Sequence, residues 1–225
     1  MALDNKLGIH NSAELANAEE KISKSKALEQ LETKVLAAEE RISKSKALEL
    51  FETGALDAFP VGTFAGLQKI NAFLFGEIYA FAGTVRTVNI AKGSFRFAPV
   101  MYLDAALKHI DAMPQSAFDE IVEKYVEMNV AHPFRAGNGR SARIWLDAML
   151  KQELQQVIDW SAVDKDDYLL AMERSPIKDV EIKTLLRHAL TGKINDRDMY
   201  MKGIDASYHY EGYHAYKTET LDSAQ

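Results

Sequence analysis

The stretch His132-Pro133-Phe134-Arg135-Ala136-Gly137-Asn138-Gly139-Arg140-Ser141-Ala142-Arg143 organises the reading of this 225-residue chain. It lies between two helical patterns, near 115–131 and 138–154. Pro133 disfavours helix at His132 and interrupts the first of them. Gly137-Asn138-Gly139 allows positive φ and lets successive backbone N–H groups converge. That makes an anion nest opening onto the amino terminus of the next helix, where phosphate binds well. Arg140 and Arg143 are three apart on that helix and share a face. Two guanidinium forks over such a nest suit an oligophosphate. At the other end of the loop, His132 can take a proton from an incoming hydroxyl. Singly these features are ordinary: a Gly-Asn-Gly turn, a loop histidine, a solvated pair of arginines. Their order within one short loop makes them specific.

Outward from the loop, residues 63–81 read as an apolar-rich helix ending near Phe81-Ala82-Gly83. Thr84 to Ile90 then alternates as a strand does. Lys92-Gly93-Ser94 supplies a turn and Phe95-Arg96-Phe97 alternates again, so a short hairpin is expected. Further helices are expected near 99–113, 165–173, 177–190 and 196–212. Phe73, Phe75, Tyr79 and Phe81 read as core, and Trp145 as packing for the motif helix. The class is mainly α with one small β-hairpin.

The amino-terminal region holds a repeat. Glu19-Glu20-Lys21-Ile22-Ser23-Lys24-Ser25-Lys26-Ala27-Leu28-Glu29 returns as Glu39-Glu40-Arg41-Ile42-Ser43-Lys44-Ser45-Lys46-Ala47-Leu48-Glu49, an offset of 20 residues. Copy one has Lys34 where copy two has Gly54, Gln30 for Leu50 and Leu31 for Phe51. It has thus lost its helix breaker and some apolar load. A recent or engineered tandem duplication explains the pattern. Twenty residues rotate a helix by about 200° relative to whole turns, so both copies cannot face one core from one helix. One copy docks and the other is looped out or projects. Residues 1–11 read as a loose arm. The expected division is 1–49 for the arm and duplicated helix, 50–195 for the core with motif loop 132–143, and 196–225 for a last helix and tail.

Formal net charge is −6, which argues against wholesale binding to nucleic acid or acidic membranes. There are no cysteines, which excludes disulfides, zinc-thiolate sites and cysteine nucleophiles. The amino terminus has no apolar signal-peptide core, and no stretch is apolar enough to span a membrane. The chain reads as soluble and cytoplasmic. His10, His109, His188, His209 and His214 are scattered, without metal-ligand spacing.

The 132–143 loop resembles the Fic (filamentation induced by cAMP) motif, HPFx(D/E)GNGRxxR, at every defined position except one. The resemblance covers roughly residues 50–213. It implies a Fic-fold helical core and a protein adenylyltransferase, in which a target hydroxyl attacks the α-phosphorus of ATP to give AMP-modified protein and pyrophosphate. By resemblance, His132 is the general base and Phe134 anchors the loop. Gly137, Asn138 and Gly139 hold the α- and β-phosphates, and Arg140 and Arg143 engage the β- and γ-phosphates. The hairpin at 86–97, with Lys92, Gly93, Ser94, Phe95 and Arg96, is similar to the family's flap, which aligns the target by strand-like pairing. The exception is Ala136. The family has Asp or Glu there to hold Mg²⁺ on the phosphates, and a methyl group cannot bind a hard cation. Weakened or absent transfer is implied. Ala136 is read either as an engineered knock-down or as natural drift, with Mg²⁺ held by ATP alone.

Ser207-Tyr208-His209-Tyr210-Glu211-Gly212 is similar to the family's inhibitory motif, (S/T)xxxE(G/N). Ser207 and Glu211 are four apart and project from one helix face. In the family this glutamate pairs with the second motif arginine, here Arg143, and occupies the γ-phosphate position. Some relatives with such a brake also remove AMP, an activity that Ala136 leaves open here. Relatives of this class can self-modify a tyrosine in this helix (Tyr208 or Tyr210 here), use self-association to control the brake, and modify type II topoisomerase subunits of the gyrase B kind. Base specificity stays open, since other relatives transfer phosphocholine, UMP or phosphate. Two competing readings stand beside the transferase: a nucleotide-binding Fic-fold module without transfer, and a helical protein whose duplicated segment mediates assembly.

Overall fold

A computed structural model describes residues 12–92 and 95–221, with side chains from residue 29 onward apart from Lys92. The expected arm at 1–11 and the turn residues Gly93 and Ser94 lie outside the described residues. The chain divides into two compact units, Met1–Glu39 and Glu40–Gln225.

The order is α1 (Ser12–Glu52), a 3-10 turn (Ala55–Ala58), α2 (Phe64–Phe75), β1 (Ala91–Lys92), β2 (Phe95–Arg96), α3 (Val100–Ala112), α4 (Phe118–Ala131) and α5 (Asn138–Leu154). Then follow β3 (Val157–Ile158), a 3-10 turn (Trp160–Ala162), α6 (Lys165–Arg174), α7 (Val180–His188), β4 (Leu190–Thr191), α8 (Arg197–Tyr210) and α9 (Thr218–Leu221). The protein is mainly helical, as its periodicity predicts.

Helix α5 is the axis of the larger unit and packs against α2, α4 and α8. It is buried on all sides, from Asn138, Arg140 and Arg143 in its first turns to Trp145, Leu146, Met149 and Leu150. A helix enclosed this way must satisfy every polar group it carries. Trp145 does so by donating its indole N–H to Thr63 O at 3.0 Å.

Three local expectations are corrected. Helix α2 stops at Phe75 rather than running to residue 81. Residues 76–83 fold back along it because α2 side chains satisfy their backbone: Gly83 N donates to Asn71 Oδ1 at 2.8 Å, and Gln68 Nε2 donates to Gly83 O at 3.1 Å. The alternation of residues 84–90 does not make a strand, and the hairpin is only β1 and β2, with Ala91 opposite Arg96 and Lys92 opposite Phe95. Arg86 is the cause. Its guanidinium lies in the interior and the chain wraps around it, taking the backbone out of reach of a ladder. Lastly, a second antiparallel pair joins β3 to β4, with Val157 opposite Thr191 and Ile158 opposite Leu190. Two-residue strands are too short for periodicity to register.

The repeat falls on one continuous helix. In copy two, Glu40, Ser43, Lys44, Ala47, Leu48 and Leu50 are buried. Phe51 stacks on Tyr200 at 4.5 Å, and Tyr200 donates to Ala47 O at 2.9 Å. In copy one, by contrast, Leu31 is 59% exposed and Val35 59% exposed. Copy two is the docked copy. Copy one's Gln30 would place an amide where Leu50 is wholly enclosed, and its Leu31 would lose the ring stack. We expect Leu50→Gln to cost roughly 2–4 kcal/mol in urea unfolding, and Leu31→Gln to stay within about 0.5 kcal/mol.

Asp147, on α5, accepts from Ile158 N at 2.8 Å and from the Trp160 indole at 2.7 Å. Burial pushes its carboxyl up to about 7, against those two hydrogen bonds. The folded-state value is raised above the unfolded one, about 4. The folded chain therefore holds this proton more tightly, and that stabilisation is lost as pH rises toward and through 7. Between about pH 4 and pH 7, stability of the parent chain should fall relative to Asp147→Asn, which lacks the titration. Melting series on the two proteins read this slope directly.

Candidate active site

The motif loop begins where α4 ends. His132 closes that helix in the left-handed region, φ 48 and ψ 63, a conformation that costs a non-glycine residue of order 1 kcal/mol or more. Pro133 blocks continuation, and Arg86 holds the turn. Arg86 is 1% exposed. Its Nε donates to His132 O at 2.8 Å and its Nη2 to Ala131 O at 3.1 Å. It also reaches Val88 O at 2.8 Å and Ala98 O at 2.5 Å, while its backbone N–H donates to Pro133 O at 2.8 Å. Burial lowers the affinity of this guanidinium for its proton, and the ring of carbonyl dipoles supports its charge. One side chain thus ties the segment before the hairpin, the segment after it and the His132 turn together. The sequence reading missed Arg86. An arginine at an inward position of an alternating segment was the available signal.

Phe97 stacks on the His132 ring at 3.7 Å and 19°, and Phe95 packs edge-on to Phe97 at 5.1 Å. The hairpin is thereby brought beside the histidine. Of the expected flap residues, Phe95 is half-buried and Arg96 exposed. The Phe-Arg-Phe alternation places Phe95 and Phe97 on one face.

Phe134 is buried and stacks on Phe64 at 6.0 Å. Asn138 staples the loop: its Oδ1 accepts from Phe134 N and its Nδ2 donates to Phe134 O, both at 2.8 Å. The asparagine side chain is engaged in closing the loop, which leaves its backbone N–H for any anion. Gly137 has φ 73, and a Cβ there would lie 2.2 Å from the Phe75 ring, so no larger residue fits. Buried Asn71 fastens the centre of the loop. Its Nδ2 donates to Ala136 O and to Ser141 Oγ, each at 3.1 Å. An amide flanked by Ile70 and Leu74 on the apolar side of α2 was the sign of it.

Arg140 and Arg143 are each 4% exposed. The Arg140 guanidinium lies among the rings of Phe75, Tyr208 and Tyr213, at 4.6, 5.0 and 4.7 Å. Arg143 donates from Nε to Ser207 Oγ at 2.6 Å and from Nη2 to Ser207 O at 2.8 Å. Glu211 joins the two arginines: Oε2 is 2.9 Å from Arg140 Nε, and Oε1 is 2.7 Å from Arg143 Nη2. Burial works against the charge on Arg143, but Tyr168 and Glu211 outweigh it, and its proton is held more tightly than usual. Oε1 also sits 2.5 Å from where a Cβ of Gly139 would be. A carboxylate therefore occupies the amino end of α5, against both arginines. Glu211 was expected to meet Arg143, and the structure adds Arg140.

Tyr208 and Tyr210 are buried. The Tyr210 hydroxyl lies 2.7 Å from Val163 O and 2.9 Å from Trp160 O, and burial pushes the Tyr208 phenol up to about 12. In this conformation both pack the core. Ala136 presents a methyl group and a carbonyl already bonded by Asn71. Among the described residues no group of three or more His, Asp or Glu could hold a metal ion.

Residues 63–150 match the family model described as the Fic/DOC family. The chain is 30% identical over 135 residues to the probable protein adenylyltransferase y4lH of Sinorhizobium fredii, which covers 54% of this chain and 70% of that protein. It is 30% identical over 154 residues to the protein adenylyltransferase VbhT of Bartonella schoenbuchensis, covering 62% of this chain and 32% of that protein. The chain thus spans about a third of the length of VbhT. Two solved structures share the fold. BepC of Bartonella tribocorum, with bound AMPPNP, superposes with a TM-score of 0.56 at 17% identity over 71% of this chain and 87% of that one. The FIC domain of Bep8 from Bartonella sp. 1-1C superposes with a TM-score of 0.57 at 17% identity over 86% and 92%. The chain belongs to the Fic/DOC family.

Because Arg86 supplies donors to four buried or half-buried carbonyls, Arg86→Met should destabilise the chain by roughly 2–4 kcal/mol. A urea denaturation series measures this.

Proposed function

We propose that this chain is a protein adenylyltransferase whose nucleotide site is held shut by Glu211. The observation that carries the reading is the seating of that carboxylate between Arg140 and Arg143 at the amino end of α5. Two buried cations and a helix amino terminus form a site for concentrated negative charge, and the phosphates of ATP are the ligand of matching chemistry. In the open state, Arg140, Arg143 and the first backbone N–H groups of α5 bind the β- and γ-phosphates. His132 takes the proton of a target hydroxyl, whose oxygen forms a bond to the α-phosphorus. The bond from that phosphorus to the β-phosphate bridging oxygen breaks, and pyrophosphate leaves with the electron pair, stabilised by the two arginines. The target segment lies along the hairpin beside His132. By the family resemblance, its source is a type II topoisomerase subunit.

Ala136 does not fit a Mg²⁺ held by the side chain at this position, because a methyl group offers no oxygen. This favours a second reading, a nucleotide-binding module that has lost transfer. Among the described residues no helix is long and apolar enough to cross a membrane.

The test is label transfer from α-phosphate-labelled ATP, with Mg²⁺, in a cell lysate. Glu211→Gly should label a protein, and His132→Ala in that background should abolish the label. Ala136→Glu should raise labelling by about tenfold or more. Nucleotide binding without label in Glu211→Gly, and label only with Ala136→Glu added, would establish the binding module. No label in any of them would overturn the transferase reading.

A further inference from the structure

The carboxylate that closes the site sits at the carboxy-terminal end of α8, so its position depends on what holds α8 and the segment after it. The holding side chains come from copy two of the repeat. Lys44 is buried, yet its ammonium meets three oxygens: Asp205 Oδ1 of α8 at 2.8 Å, Glu40 Oε1 at 3.0 Å, and Tyr216 O at 2.6 Å. Glu40 grips the same tail, with Oε2 accepting from Ala215 N at 2.8 Å and Oε1 from Tyr216 N at 3.3 Å. Asp205 is bound in turn by Thr218, whose Oγ1 donates at 2.6 Å and whose N–H donates at 3.1 Å. The tail is therefore pinned a few residues beyond Glu211.

The network also reaches the nucleotide site through one ring. Lys44 Nζ lies 5.2 Å from the centroid of Tyr208, and the same ring flanks the Arg140 guanidinium at 5.0 Å. Tyr213, at the start of the tail, packs on Tyr208 at 5.9 Å and beside Arg140 at 4.7 Å. Buried networks of this kind hold together or fail together. Removing the ammonium leaves the enclosed Glu40 carboxylate facing the part-exposed Asp205 carboxylate, and the two like charges are relieved most simply by parting the tail and α8 from α1.

We propose that Lys44, with Glu40, is a positioning residue for Glu211: the α1 segment latches α8 and its tail so that the carboxylate stays seated on Arg140 and Arg143. This rests on the reading of Glu211 as a brake. It gives copy two of the repeat a regulatory role as well as a packing one, and any partner that draws α1 away would open the site.

A thermodynamic cycle on binding of a non-hydrolysable ATP analogue tests it, using the parent, Lys44→Met, Glu211→Gly and the double variant. Lys44→Met should tighten the analogue by about tenfold and Lys44→Arg should keep the parent's weak binding. In the Glu211→Gly background, Lys44→Met should change nothing. If Glu211→Gly tightens binding and Lys44→Met does not, the latch is wrong and the brake stands. If Glu211→Gly itself leaves binding unchanged, the brake reading fails. Equal weakening by Lys44→Met in both backgrounds marks a purely structural role and overturns the latch. Should Lys44→Met not fold, Glu40→Gln replaces it, since it keeps the side-chain volume and removes only one charge, and the same outcomes decide.

Discussion

Two guanidinium groups buried beside a helix amino terminus require an anion. Arg140 and Arg143 are almost wholly enclosed, and the first turn of α5 adds partial positive charge of the same sign. Left alone, such a cluster is costly. Here Glu211 supplies the balance, and aromatic faces on Arg140 and the Ser207 oxygens on Arg143 complete it.

The loop beside this cluster is fixed by side chains of its own. Asn138 seals the loop onto Phe134, Asn71 fixes its centre, and Arg86 gathers the carbonyls at its entrance. Each is a buried polar side chain with its partners in place, so the loop is set by hydrogen bonds whose loss would expose unsatisfied groups. Glu211 has a different standing. Its side chain is 22% exposed and it caps a helix end, so its burial is partial where the polar groups of the loop are enclosed.

The position of α1 shows how a repeated sequence acquires a single meaning. Copies one and two share nearly all their charges, and those charges do not choose between them. Leu50 and Phe51 do, because they fill enclosed space that Gln30 and Leu31 would fill badly. Once copy two is seated, its Glu40 and Lys44 meet α8 and the tail.

Much of the site was legible in order along the chain. The loop from His132 to Arg143, the helix it opens, and the Ser207–Glu211 pair are local patterns, in which spacing along a helix dictates which side chains share a face. The helical class follows from the same short-range periodicity. Arg86, Asn71, Phe97 and the β3–β4 pair were not legible, because their roles rest on contacts between residues far apart in sequence. The early end of α2 belongs with them, since Asn71 and Gln68 draw the chain back where local apolar pattern favours more helix. Sequence by itself determined which groups could hold an anion. Tertiary structure decided which anion holds them here, since only folding brings Glu211 across to Arg140 and Arg143, where enclosed positive charge demands it.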